Sequence, residues 1–181
     1  MTGVKGMRRA SDLLGLPVID ANKRPLGKVV EVLVDLDREI LGALLFADKI
    51  RGESGLLTVE DVVFAPESII VPADAIICGD GAVILRQGKL TLEQARKLSV
   101  ETCSGNRIGN VADLIIDGNQ LVALELSDGL LQDVFEGRSV LPLPRDIGLA
   151  GEKLIVPDET GLKTYDSGSD GSSAGDIEYG G

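Results

Sequence analysis

Pro25-Leu26-Gly27-Lys28-Val29-Val30-Glu31-Val32-Leu33-Val34-Asp35 aligns without a gap on Arg107-Ile108-Gly109-Asn110-Val111-Ala112-Asp113-Leu114-Ile115-Ile116-Asp117, 82 residues further along the chain. Glycine, valine, an acid and a final aspartate recur in place, so the sequence carries an internal duplication, and everything around it is read in pairs. Beyond this block the offset becomes 80, where Gly42-Ala43-Leu44-Leu45-Phe46 matches Val122-Ala123-Leu124-Glu125-Leu126. A turn two residues shorter in the second copy accounts for the change. A third match, at offset 72, sets Ile70-Val71-Pro72-Ala73-Asp74 on Pro142-Leu143-Pro144-Arg145-Asp146. It makes Asp48 to Ser68 the more elaborate of the two central loops.

Periodicity identifies the repeated blocks as strands. From Val29 to Asp37 one alternate set is Val30, Val32, Val34 and Leu36, and the other is Val29, Glu31, Leu33, Asp35 and Asp37. The first set predicts a buried face and the second a mixed one. In the second copy Ala112, Leu114 and Ile116 fall on the apolar face, with Asp113 and Asp117 on the other. Asp20 to Gly27 and Ser104 to Gly109 both contain Asn and Gly, which tolerate positive φ, so each stretch predicts a hairpin turn. Gly27 and Gly109 fall just inside the following strand, where a missing Cβ allows a bulge or a close backbone approach.

Short helical turns precede both blocks. Ser11-Asp12-Leu13-Leu14-Gly15 offers a capping residue and a terminal Gly, and in the counterpart Thr91 can cap while Leu92, Ala95 and Leu98 share a face. The boundary between copies is placed near Gln87-Gly88-Lys89, which gives domains at 8–86 and 90–158. The remainder, 159–181, reads as a disordered acidic tail: ten of the 21 residues from Gly161 onward are Gly or Ser, too few apolar groups to offset the entropy of ordering. Ile177 and Tyr179, within Asp176-Ile177-Glu178-Tyr179, are its weak docking candidates.

Composition narrows the function. The chain has 181 residues, 44% of them hydrophobic, but only 3% aromatic and no Trp, so aliphatic side chains fill the cores. The scarcity of rings disfavours base-stacking nucleic-acid platforms. A formal net charge of −11 repels phosphate backbones and disfavours direct nucleic-acid binding. About half of that excess lies in the last two dozen residues. The two cysteines, Cys78 and Cys103, read as reduced, semi-buried thiols. No apolar run is long enough to span a bilayer, and a cytoplasmic location is the default expectation.

The chemistry sought is absent from the sequence. Without any His the usual general base, zinc ligand and nucleophile partner are missing. There is no CxxC, Walker sequence or dinucleotide fingerprint. Asp35, Asp37 and Glu39 stand close together around the first long turn, with Asp35 and Asp37 on one side by alternation. Their spacing is not that of a calcium loop and only Asp117 recurs, so they read as a solvated turn. No catalytic, metal or cofactor residues are expected, and Gly27, Gly109, Pro72 and Pro144 are structural turn positions.

The series of a short helix, a strand, Leu26-Gly27-Lys28-Val29, an apolar strand ending in Asp35, and Val71-Pro72-Ala73-Asp74 resembles the PRC-barrel family. Ile108-Gly109-Asn110-Val111, Asp117 and Leu143-Pro144-Arg145-Asp146 repeat it, so that residues 8 to 158 are covered. The resemblance implies an all-β fold of two tandem small PRC-like β-barrels, each six-stranded and strongly bent, that serves binding or assembly. Some members cap the cytoplasmic side of the photosynthetic reaction centre. Another, the ribosome maturation factor, engages a basic ribosomal protein. This chain has neither the membrane helix of the first kind nor the partner domain of the second.

The expected function is a non-catalytic adaptor that binds a protein partner, with the acidic tail favouring a basic one. Two alternatives stand beside it: an accessory factor in ribosome maturation or RNA processing that acts through a basic ribosomal protein, and a peripheral capping subunit of a membrane complex. A homo-oligomer is compatible with the sequence.

Overall fold

The strict alternation expected from Val29 onward breaks one residue in. In the computed structural model, which describes residues 7–48, 53–60, 62–72, 76–77, 87–127, 138–158 and 163–165, strand β3 (Pro25–Asp35) pairs with β4 (Ile40–Asp48) through Val29 opposite Phe46 and Glu31 opposite Leu45. Val30 is the extra residue of a bulge and is 44% exposed, whereas Val29 is buried. The expected buried set Val30, Val32, Val34, Leu36 is therefore corrected to Val29, Val32, Val34, Leu36. The second copy bulges at the same point. Strand β11 (Arg107–Asp117) meets β12 (Gln120–Ser127) with Val111 opposite Leu126 and Asp113 opposite Glu125, leaving Ala112 over. A bulge shifts the side-chain phase by one residue, which simple periodicity does not register.

The remaining strands of the first half are β1 (Met7–Arg9), β2 (Pro17–Asp20), β5 (Glu53–Thr58), β6 (Val63–Phe64), β7 (Ile69–Val71) and β8 (Ile76–Ile77). Those of the second are β9 (Leu90–Thr91), β10 (Ser99–Thr102), β13 (Arg138–Pro142), β14 (Gly148–Ala150), β15 (Lys153–Val156) and β16 (Lys163–Tyr165). The two halves follow one plan. Pairing runs β6-β7-β2-β3-β4-β5-β8 in the first and β14-β15-β10-β11-β12-β13-β16 in the second. Each half is a path of seven strands among the described residues, and the fold is all-β.

This common plan corrects the third sequence match. Strand β7 lies parallel to β2, with Val18 opposite Ile69, and β15 lies parallel to β10, with Val100 opposite Leu154. The counterparts are thus Ile69-Ile70-Val71-Pro72 and Leu154-Ile155-Val156-Pro157, at an offset of 85. Pro72 and Pro144 are not equivalent. Pro72 follows β7, whereas Pro144 lies in the loop between β13 and β14. A few apolar residues followed by Pro recur too easily to set a register that long-range pairing decides. The plan also places a strand at Lys163–Tyr165, paired with β13, inside the segment expected to be a structureless tail. Ile177, Tyr179, Cys78 and Asp74 lie outside the described residues.

The halves do not sit apart. Strand β1, which leads into the first half, pairs with β11 of the second; β9, which leads into the second, pairs with β3 of the first. Strands β4 and β12 meet at Ile40 and Gln120. One sheet runs through both halves, and one apolar core joins them: Val32, Leu44 and Ile69 belong to the same buried cluster as Leu114, Leu124 and Leu154.

The lead-in turns sit between the halves. A 3-10 turn at Ala10–Leu13 buries Ala10 and Leu13, and a one-turn helix at Leu92–Ala95 buries Leu92 and Ala95. Full burial of each leucine contributes about 2 kcal/mol. Thr91 caps the helix as the sequence predicts: its hydroxyl accepts the Gln94 amide at 3.1 Å while the Gln94 side chain accepts the Thr91 amide at 2.9 Å. Ser11 does not cap. It lies inside the 3-10 turn, and the amide of Arg9, which occupies the capping position ahead of that turn, donates to Asp12 at 3.1 Å.

Candidate functional site at the junction of the halves

The bulge in β11 turns Asp113 inward, opposite Glu125 on β12. Their side chains are 4% and 2% exposed. Two acids directly across a strand pair repel each other, and burial adds the cost of desolvation. The structure meets both costs with cations and donors from the lead-ins. Arg9 Nε donates to Glu125 Oε2, and Arg96 Nη2 donates to Asp113 Oδ2 at 2.6 Å. Ser11 donates its hydroxyl to Asp113 Oδ2 and its amide to Oδ1 at 3.3 Å, and the Leu114 amide adds a bond at 2.8 Å. The Glu125 bond holds the Arg9 guanidinium protonated to still higher pH than usual. Among the described residues no buried side-chain nitrogen or oxygen lacks a partner.

Local patterning does not reveal this cluster. Its signal was present as the one position in the second match where the repeat replaces an aliphatic residue, Leu45, by an acid, Glu125. Arg9 and Ser11 lie more than a hundred residues from their partners, a distance no local pattern bridges.

The residues that spacing and periodicity pick out occupy separate places. Gly27 pairs with Val18 beside a bulge at φ +150°, and a Cβ there would lie 2.7 Å from the Ala47 carbonyl carbon and oxygen. Gly109 is buried opposite Val100 at the equivalent bulge. Both predicted hairpins form. In the first turn Asp20 Oδ1 accepts the amides of Asn22 and Arg24, each at 2.8 Å; in the second Thr102 Oγ1 takes the corresponding Asn106 amide at 3.1 Å. The amide of Arg24, ahead of that of Asn22 and the Arg24 guanidinium, holds the Asp20 carboxyl below its usual range.

Asp35, Asp37 and Glu39 part company. Asp35 is buried and accepts the Arg38 amide at 3.1 Å, Asp37 is exposed, and Glu39 takes φ +57° in the turn. The expectation that Asp35 and Asp37 share a solvated side is corrected, since the strand ends at Asp35 and alternation ends with it. Among the described residues no three acids, cysteines or histidines cluster as metal ligands. Cys103 is exposed rather than semi-buried, because it sits in the turn after β10.

The outer edges are apolar. Strand β14 is exposed along its length, with Leu149 at 46%, and β6 carries Val63 at 61%. The two strands occupy equivalent ends of the sheet path.

The PRC-barrel domain matches the sequence twice, over residues 5–92 and 88–163. The chain belongs to the PRC-barrel family. The two matches overlap at 88–92, which contains β9: this strand leads into the second PRC-barrel but pairs with the first. The second match also takes in the start of β16, beyond the expected boundary at 158. No curated protein matches the chain. Among the described residues of this tandem PRC-barrel protein, no helix is long and apolar enough to cross a membrane.

Proposed function

We propose that the protein is a non-catalytic adaptor whose paired PRC-barrels present their outer sheet edges to a protein partner. The observation that carries this reading is β14. Among the described residues it pairs with β15 alone, so its other side offers backbone donors and acceptors to an added strand. Leu149 supplies an apolar anchor there, and β6 with Val63 supplies the equivalent edge of the first barrel. Two equivalent edges at the ends of one continuous sheet favour avidity. A net charge of −11 favours a basic partner. The non-catalytic reading is supported by the internal use of Asp113 and Glu125, both held by arginines, and by a sequence without His.

The test is affinity purification of the tagged full chain from its own cells at low and moderate salt, beside the Leu149→Lys and Val63→Lys variants. A partner that is lost on adding salt and weakened by either substitution supports the reading. One that survives both salt and the double substitution overturns the edge assignment. Recovery of a basic ribosomal protein would place the adaptor in ribosome maturation, and recovery of a membrane complex would make it a peripheral cap.

A further inference from the structure

The contacts between the halves obey one approximate two-fold operation. Arg9 lies opposite Ile115 and Arg8 opposite Ile116; 82 residues on, Thr91 lies opposite Leu33 and Leu90 opposite Val34. The amide of Leu41 donates to the Asn119 carbonyl at 2.8 Å, and the amide of Leu121 donates to the Glu39 carbonyl at 2.8 Å. Such reciprocity belongs to the interface of a two-fold homodimer. Here it is closed within one chain.

The backbone pairings alone would serve equally for two first halves or two second halves. The side chains would not. Thr91 stands where the first lead-in has Arg9, and Glu93 stands where it has Ser11; Glu31 and Leu45 stand where the second half has Asp113 and Glu125. In the observed pairing Arg9 and Ser11 meet Glu125 and Asp113, while Glu93 turns to solvent and pairs with Lys97 at 2.9 Å. Two second halves would bring Glu93 against buried Asp113 and take the guanidinium from buried Glu125. Two first halves would set Arg9 against Leu45. Removing the partner of a buried charge, or adding a like charge, is strongly unfavourable and discriminates between partners.

We propose that Arg9, Ser11, Asp113 and Glu125 form a pairing code by which the first half selects the second half of this chain, and that the junction is a homodimer-type interface made intramolecular and one-to-one. This inference stands apart from the adaptor reading, since it concerns what the two halves bind in each other.

The experiment uses the full chain with a protease site inserted between Gln87 and Gly88, both exposed in a turn where Gly88 has φ +71°. After cleavage the protein is unfolded in urea, refolded as a mixture and weighed by native mass spectrometry. The fragments are expected almost entirely as the mixed pair, in roughly hundredfold excess over either like pair. A random distribution of the three pairs overturns the proposal, as does recovery of separate monomers. In a second cut chain, Arg9→Thr with Ser11→Glu gives the first lead-in the residues of the second, and the preference is expected to collapse. Its persistence overturns the code even where the junction itself holds. Should that variant fail to refold, the cut wild-type chain still decides.

Discussion

The two PRC-barrels share a strand order but fill the same position at the junction in opposite ways. Where the second sets Asp113 against Glu125 and neutralises both, the first sets half-buried Glu31 against Leu45, and Leu45 packs on a small cluster of Leu33, Ala43 and Leu56. One backbone accepts either solution, provided every buried polar group is satisfied. The difference gives each half an identity that the shared fold does not provide.

The comparison can be broken most directly at the cluster itself. Asp113→Ala strands Arg96, Ser11 and the Leu114 amide, and should cost about 4 kcal/mol. Glu31→Ala at the equivalent, less buried site should cost about 1 kcal/mol. Urea denaturation of the two variants measures both, and equal losses would deny the asymmetry.

Next in size is the contrast between glycines. Gly27→Ala combines φ +150° with a Cβ 2.7 Å from Ala47 backbone atoms, and about 3 kcal/mol is expected from overpacking and strain together. Gly105→Ala has φ +87° but nothing within 4 Å, so the backbone cost alone remains, about 1 kcal/mol. Thermal unfolding of the pair separates contact from conformation. A loss of comparable size, about 1 kcal/mol, is expected for Thr91→Ala, which removes the cap from the second lead-in. Faster amide exchange at Gln94 is its local signature, whereas the first lead-in has no hydroxyl cap to lose.

Lys23 sharpens the comparison in the other direction. It occupies the place of Gly105 in the first hairpin turn, at φ +63°, so Lys23→Gly should gain about 0.5 kcal/mol after the added freedom of the unfolded chain is deducted. The smallest effect is one of pH. Asp20 in the first turn is held low by backbone amides, and Asp158, bonded to the Ser104 hydroxyl at 2.7 Å and amide at 3.0 Å, is held low in the second, chiefly by that hydroxyl. A carboxyl with a depressed folded value stabilises the fold above its unfolded value of about 4 and loses that contribution as pH falls through the folded one. Carboxyl-detected NMR titration should find both below the ordinary aspartate range, and Asp20→Asn should abolish the acid response of the first turn alone.

Much of this architecture is local in origin. The duplication, the strands, both hairpins and the Thr91 cap follow from spacing, periodicity and turn chemistry, each a matter of a few neighbouring residues. Val30 shows where that reading stops, because a bulge is fixed by how two strands match across a ladder. Pro72 and Pro144 are not equivalent for a related reason: the parallel partners of β2 and β10 are chosen by contacts about fifty residues away.

The sequence by itself determined that there are two similar β modules and that neither contains a histidine. The tertiary structure alone decided that the lead-in strands cross between the modules and that four distant side chains meet there. Each lead-in has two chemically similar strands to choose from, and the choice rests on burial and charge pairing that arise only once both halves have folded together.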